Sequence, residues 1–171
     1  MLNNVINNKK DIFVCDNDFL KNLKKRAQVA KNRRSRVCIH LSRSSQVQEM
    51  IIYALKDSYM PPHKHPTGNS ETYHLISGKL DLYLFNKSGH VIKKISLEAH
   101  NKKSKKNFYY RTNSGDFWHM PVVKSRECVF HEIYSGPWKK QHDVKFPKWA
   151  PSLDDSNLHK IFLSKLSKRK L

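Results

Sequence analysis

The feature that most limits what this chain can become is the texture of residues 37–138, where short apolar and β-branched runs, each about a strand long, are broken by turn residues. Glu71–Ile76 and Lys79–Asn86 are joined through Ser77-Gly78, and Asn86-Lys87-Ser88-Gly89 turns the chain again into Val91–Leu97. Turns this close make sequence neighbours pair antiparallel, which gives a three-strand meander. After a lysine-rich loop at 101–107, Phe108–Arg111, Phe117–Val123 and Cys128–Tyr134 supply further strands. The pattern predicts an all-β antiparallel sandwich or barrel, and no repeat at a solenoid period competes with it.

Helical signals flank this body. Asp16-Asn17-Asp18 offers an N-cap ahead of Phe19, Leu20, Leu23, Ala27 and Ala30, predicting a short amphipathic helix over 18–31. Its other face carries Lys21, Lys24, Lys25, Arg26 and Lys31 and runs into Arg33, Arg34 and Arg36, either a solvated face or a cluster able to grip an anion. Past Pro151, Asp154-Asp155-Ser156-Asn157 can cap a helix bearing Leu158, Ile161, Phe162, Leu163 and Leu166. That stripe can dock on the barrel or on a second subunit. With Lys165, Lys168, Arg169 and Lys170 beside it, it can also lie on an anionic membrane surface. The chain therefore divides into a basic arm with a short helix (1–35), a β-domain (36–152) and a basic helical tail (153–171).

Lys and Arg number 33 against 14 Asp and Glu, a net charge of +19 that attracts phosphates, nucleic acid, anionic lipid or acidic sugars. No helix-turn-helix, RNP or zinc-finger spacing accompanies the charge, so nucleic-acid contact is expected to be weak and sequence-blind, with no specific nucleic-acid partner. The longest uncharged apolar run, Met50–Leu55, is far too short for a membrane span. The first eight residues lack a basic leader and an apolar stretch, and a cytoplasmic protein is the expectation. Cys15, Cys38 and Cys128 show no CxxC spacing, which argues for thiols, not a disulfide framework. P-loop, dinucleotide and nucleophile-turn signatures are missing, so ATP, NAD and covalent acyl chemistry are unsupported.

The chemistry concentrates in Pro61-Pro62-His63-Lys64-His65-Pro66-Thr67-Gly68-Asn69-Ser70-Glu71. Residues i and i+2 of an extended chain share a face, so His63 and His65 can enter one pocket, and Glu71 returns to meet them at the start of the next strand. Two imidazoles and a carboxylate with open positions suit one divalent transition metal ion (Fe, Mn, Ni, Co or Zn) and not Ca or Mg. His119, on a later strand among aromatic neighbours, is the expected fourth ligand, although a histidine in that setting is commonly a packed core residue.

In Cys128–Tyr134, alternation puts Phe130, Glu132 and Tyr134 on one face. Glu132 is then a candidate catalytic acid or base, a partner that orients a ligand imidazole, or an ordinary surface carboxylate. Arg36 and His40 share parity, as do Tyr59, His63 and His65. Arg36, His40 and Tyr59 are therefore candidates for binding an anionic substrate, Arg36 through its bidentate fork; packing is the alternative for Tyr59 and a buried hydrogen bond for His40.

His63-x-His65, Glu71 and Gly78 resemble the first cupin motif, and the turn from Gly115 to His119 resembles the second. Arg36-Val37-Cys38-Ile39-His40, Ser58-Tyr59-Met60-Pro61-Pro62, Glu132 ahead of Gly136-Pro137-Trp138, and Lys145-Phe146-Pro147-Lys148-Trp149-Ala150-Pro151 narrow the likeness. Over residues 33–152 the chain resembles the WbuC family of cupin-fold metalloproteins. It departs from that pattern at Asp116, Trp138 and Ser152. The resemblance implies a single cupin-type jelly-roll barrel (double-stranded β-helix) holding a metal, and a place in O-antigen and other surface-polysaccharide biosynthesis. It further suggests metal-assisted isomerisation or epimerisation of a sugar or nucleotide-sugar. A non-catalytic saccharide-binding module and an iron-dependent dioxygenase are the alternatives. A homodimer is the expectation drawn from the fold class.

Overall fold

The structure, a computed structural model, describes residues 3–113, 117–139 and 143–168, with side chains as far as Leu166 in the last segment. Gly115, Asp116, Arg169 and Lys170 lie outside the described residues. Nine strands and two helices follow in chain order: β1 (Val5–Asn7), α1 (Asn17–Val29), β2 (Arg34–Cys38), β3 (Val47–Leu55), β4 (Glu71–Ser77), β5 (Lys79–Phe85), β6 (Val91–Glu98), β7 (Tyr109–Thr112), β8 (Trp118–Val123), β9 (Glu127–Ser135) and α2 (Ser156–Lys168).

The strands form two sheets, ordered β1-β2-β3-β9-β4-β7 and β6-β5-β8. The expected jelly roll is thus present as two facing sheets. Every pairing of named strands is antiparallel except β1 with β2, where the N-terminal arm adds a short parallel edge strand. At the β4–β5 hairpin Gly78 takes a φ of +83°, and a Cβ there would collide with the Glu127 carbonyl.

Three apolar clusters hold the layers. Between the sheets, Met50, Ile52, Tyr73, Leu75 and Phe130 meet Leu80, Leu82 and Leu84. Outside the large sheet, α1 sets Leu23 and Ala27 on Val37, Ile51, Tyr53 and Val129. Outside the small sheet, α2 sets Leu166, Phe162 and Leu163 against Tyr83, Phe85, Met120 and Trp149. Both sheets are therefore covered on both faces, which explains why Met50–Leu55 and Leu80–Phe85 are buried at every position instead of alternating. The caps are those expected from the sequence: the Asp16 carboxylate accepts the Phe19 amide at 2.8 Å, and Asp155 accepts that of Leu158 at 2.9 Å.

Candidate metal centre

The four expected ligands arrive from three places and meet. His63 and His119 face each other across a reciprocal bridge, His63 N–H to His119 O at 2.9 Å and His119 N–H to His63 O at 2.8 Å. Directly opposed residues present their side chains on one face, and here the ring centroids lie 4.2 Å apart. His65, two residues on from His63, falls on the same side, and Glu71 opens β4 beneath them at 1% exposure.

Backbone carbonyls orient two of the rings. His63 Nδ1 donates to Pro61 O at 2.9 Å and His65 Nδ1 to Asp143 O at 2.7 Å. A carbonyl only accepts, so in both rings Nδ1 carries a proton and Nε2 is turned to the centre. There His65 Nε2 is 3.1 Å and His63 Nε2 4.0 Å from Glu71 Oε1. His119 Nε2 lies 2.8 Å from Glu71 Oε2, yet the angles are not those of a hydrogen bond, and neither buried atom has another partner.

Those two orphaned atoms are ones that a bound cation would satisfy. One donor atom from each of the four residues lies within 4.8 Å of all the others. Ligands bonded at about 2.1 Å to one ion sit about 3 to 4 Å apart, so the set fits a transition metal with little rearrangement. Three imidazoles and a carboxylate favour the borderline divalent ions and leave two octahedral positions open.

Electrostatics keep the donors ready. Burial, reinforced by His119, pushes His63 down to about 3, so its ring is neutral. Burial pulls His65 down too, but the hydrogen bond and charge of Glu71 outweigh it and the net shift is upward. For Glu71 burial works upward, and His119 and His65 overcome it, holding the carboxyl well below its usual range.

A cavity of about 1000 Å³ opens from this cluster between the sheets. Glu132 lies in its wall and is half-buried. Burial and then the Glu71 charge raise its carboxyl to about 7, against the pull of Arg36, His65 and Arg34. Arg36 and His40 also line the cavity. The His40 Nδ1 accepts the Glu49 amide at 2.9 Å, so a backbone bond and a place in the cavity coexist. Tyr59 corrects the sequence reading, because it lies outside the cavity. It packs beneath α2 in the outer cluster of the small sheet, its hydroxyl donating to Pro151 O at 3.1 Å and its ring stacked on His159 at 3.8 Å. The parity argument fails there because Pro61 and Pro62 interrupt the ladder and the chain from 58 to 62 is not a strand.

Several of the cavity's polar and aromatic residues were not among the site candidates read from the sequence. Arg34 shares parity with Arg36 and was visible as part of the basic run after α1. Arg43, Trp138 and the amides of the N-terminal arm reach the cavity by loop and edge pairing, which no local pattern announces. Burial first, then the neighbouring Arg36, lower the Arg34 guanidinium from its usual value.

A family model described as a domain of unknown function (DUF6016) matches residues 15–97, a stretch that includes His63, His65 and Glu71 but ends before His119. Among solved structures, protein SO0799 from Shewanella oneidensis is similar with 9% identity, a TM-score of 0.52, and coverage of 66% of this chain and 72% of that one. The Cupin_2 domain of an XRE family transcriptional regulator from Enterobacter cloacae gives 17% identity, a TM-score of 0.44, and coverage of 61% and 97%. An uncharacterized conserved protein with a double-stranded beta-helix domain from Klebsiella pneumoniae gives 14%, 0.44, 61% and 73% respectively. No curated protein matches the chain. The likeness to SO0799 is one of fold, two facing antiparallel sheets, and the His63, His65, Glu71 and His119 cluster is one that can bind a metal.

Proposed function

We propose that this protein is a metal-dependent cupin of the WbuC type that isomerises or epimerises an anionic sugar or nucleotide-sugar in surface-polysaccharide synthesis. The observation that carries the reading is the convergence of His63, His65, Glu71 and His119 on the unsatisfied pair Glu71 Oε2 and His119 Nε2, with Glu132 on the neighbouring strand. A divalent transition ion held by these four side chains supplies Lewis-acid polarisation of a carbonyl or hydroxyl oxygen.

The chain's own groups do the rest. Glu132, with a carboxyl that titrates near neutrality, takes a proton from a substrate carbon and returns it on the other face or to the adjacent carbon. Arg36, exposed at the rim of the cavity, holds an anionic group through its fork. The protein works in the cytoplasm as a homodimer in this reading, without a specific nucleic-acid partner, and any contact with anionic membrane is peripheral.

Metal analysis of the protein as purified, beside His63→Ala, is the first test. The reading expects one equivalent of transition metal in the parent and a loss of at least tenfold in affinity in the variant. NMR of candidate nucleotide-sugars incubated with the loaded protein then reads turnover. Binding without any conversion would convert the proposal into a saccharide-binding module, and bound iron with oxygen uptake would convert it into a dioxygenase.

A further inference from the structure

The cavity carries more positive charge than its carboxylates balance. Arg34 and Arg36 enter from alternate positions of β2 and Arg43 from the loop after it, whereas Glu71 is taken up by three histidines. Among the described residues none of these arginines forms an ion pair. Among the described residues Glu132 is the one other carboxylate in the wall, so with a divalent ion bound these side chains keep a clear positive excess.

The register shows where that excess sits. Cys38, Met50, Glu132 and Tyr73 form one row of partners across β2, β3, β9 and β4. Glu71 lies two residues to one side of that row on β4, and Arg36 two residues to the other side on β2. Arg36 and Glu71 are thus three strands and four residues apart, about 20 Å between Cα atoms on a flat sheet, with Glu132 between them in both directions. A ligand touching both ends is extended, and its middle passes Glu132.

The outer side of the arginine wall is finished by the N-terminal arm. The Arg36 amide donates to Asn4 O at 2.9 Å, and Arg26 donates from α1 to Asn3 O at 2.6 Å, so the arm is tied down along β2. Asn3, Asn4 and Asn7 join the lining there, adding amides but no negative charge. Arg43 lies towards the other end: its carbonyl accepts the Trp138 amide at 2.7 Å, and the Trp138 ring meets Tyr134, whose own ring packs on His65.

We propose that Arg34 and Arg36, closed by the N-terminal arm, form a phosphoryl-binding subsite at the end of the cavity opposite the metal cluster. This takes the cavity as the substrate site of the preceding reading and adds the class of substrate. A carboxylate brings one charge and two acceptor oxygens to two planar forks, whereas a phosphate monoester brings about −1.5 to −2 and three oxygens. A diphosphate brings more of both.

Isothermal titration of the full chain, chelator-treated and metal-loaded, with inorganic pyrophosphate and with malonate tests the subsite. Pyrophosphate should bind both forms with one-to-one stoichiometry and at least tenfold more tightly than malonate. Arg34→Ala and Arg36→Ala, the second at an exposed position, should each weaken it about tenfold. The double variant Lys105→Ala/Lys106→Ala, which removes twice the charge of either from the exposed 101–107 loop, should leave it unchanged. Equal affinity for malonate, or an equal loss in the lysine variant, overturns the proposal. A sugar 1-phosphate and a nucleoside diphosphate then separate a monoester from a diphosphate as the group taken, and binding of neither also overturns it. Absence of metal in the purified protein would defeat the metalloprotein reading while leaving the chelated titration intact; loss of pyrophosphate binding with metal retained defeats the subsite alone.

Discussion

Replacing Glu132 by Gln should stabilise the metal-free protein at alkaline pH and do so far less in acid. In the fold the carboxyl titrates at about 7, against an ordinary value of 4.5. Because the folded value is the higher, the native state binds more protons than the unfolded chain between those limits. The Glu132 contribution to stability is therefore lost as pH rises through that window. At about 1.36 kcal/mol per unit, the full penalty above pH 7 is about 3.4 kcal/mol, of which about 2.5 develops between pH 5 and pH 8. The open cavity beside the group screens part of this, and about 1.5 to 2 kcal/mol is the expected change. Urea unfolding of parent and Glu132→Gln, both chelated, at pH 5 and pH 8 measures it. The advantage of the variant should grow by that amount, while any hydrogen bond altered by the amide contributes equally at both pH values and cancels. A difference independent of pH, or one favouring the parent at pH 8, would refute the account of a carboxyl desolvated beside Glu71. Metal loading should shrink the effect, since a nearby cation favours the charged carboxylate.

Gly78→Ala should destabilise the fold by more than about 1 kcal/mol, since the new Cβ meets the Glu127 carbonyl at a positive φ; thermal unfolding at fixed pH reads it. Tyr59→Phe should cost about 1 kcal/mol through the lost bond to Pro151 O, with titrations of metal and of pyrophosphate unchanged because the residue lies outside the cavity.

The metal cluster was legible because its first three members are local. Two histidines at an i, i+2 spacing and a carboxylate at the next strand start need only the pleat and one turn to converge. His119 depended on a long-range pairing that no spacing encodes, and the aromatic and turn residues around it sufficed to nominate it. Alternation placed Glu132 in the wall correctly, since β9 is regular through that point. It misled at Tyr59, where two prolines break the ladder. Runs buried on both faces carry no alternation, so the sequence could not say which of Met50–Leu55 faces the cavity and which faces α1. The arm was opaque for a related reason: Val5–Asn7 is too short to show a period, and its place is set by the free edge of β2.

The two sheets share no ladder between named strands, yet Glu71 belongs to the large one and His119 to the small one. A cation bridging them is therefore a rivet through both layers as well as a reagent. Binding there would add a cross-link between the layers to the apolar core that already joins them, so metal loading should raise the protein's unfolding temperature.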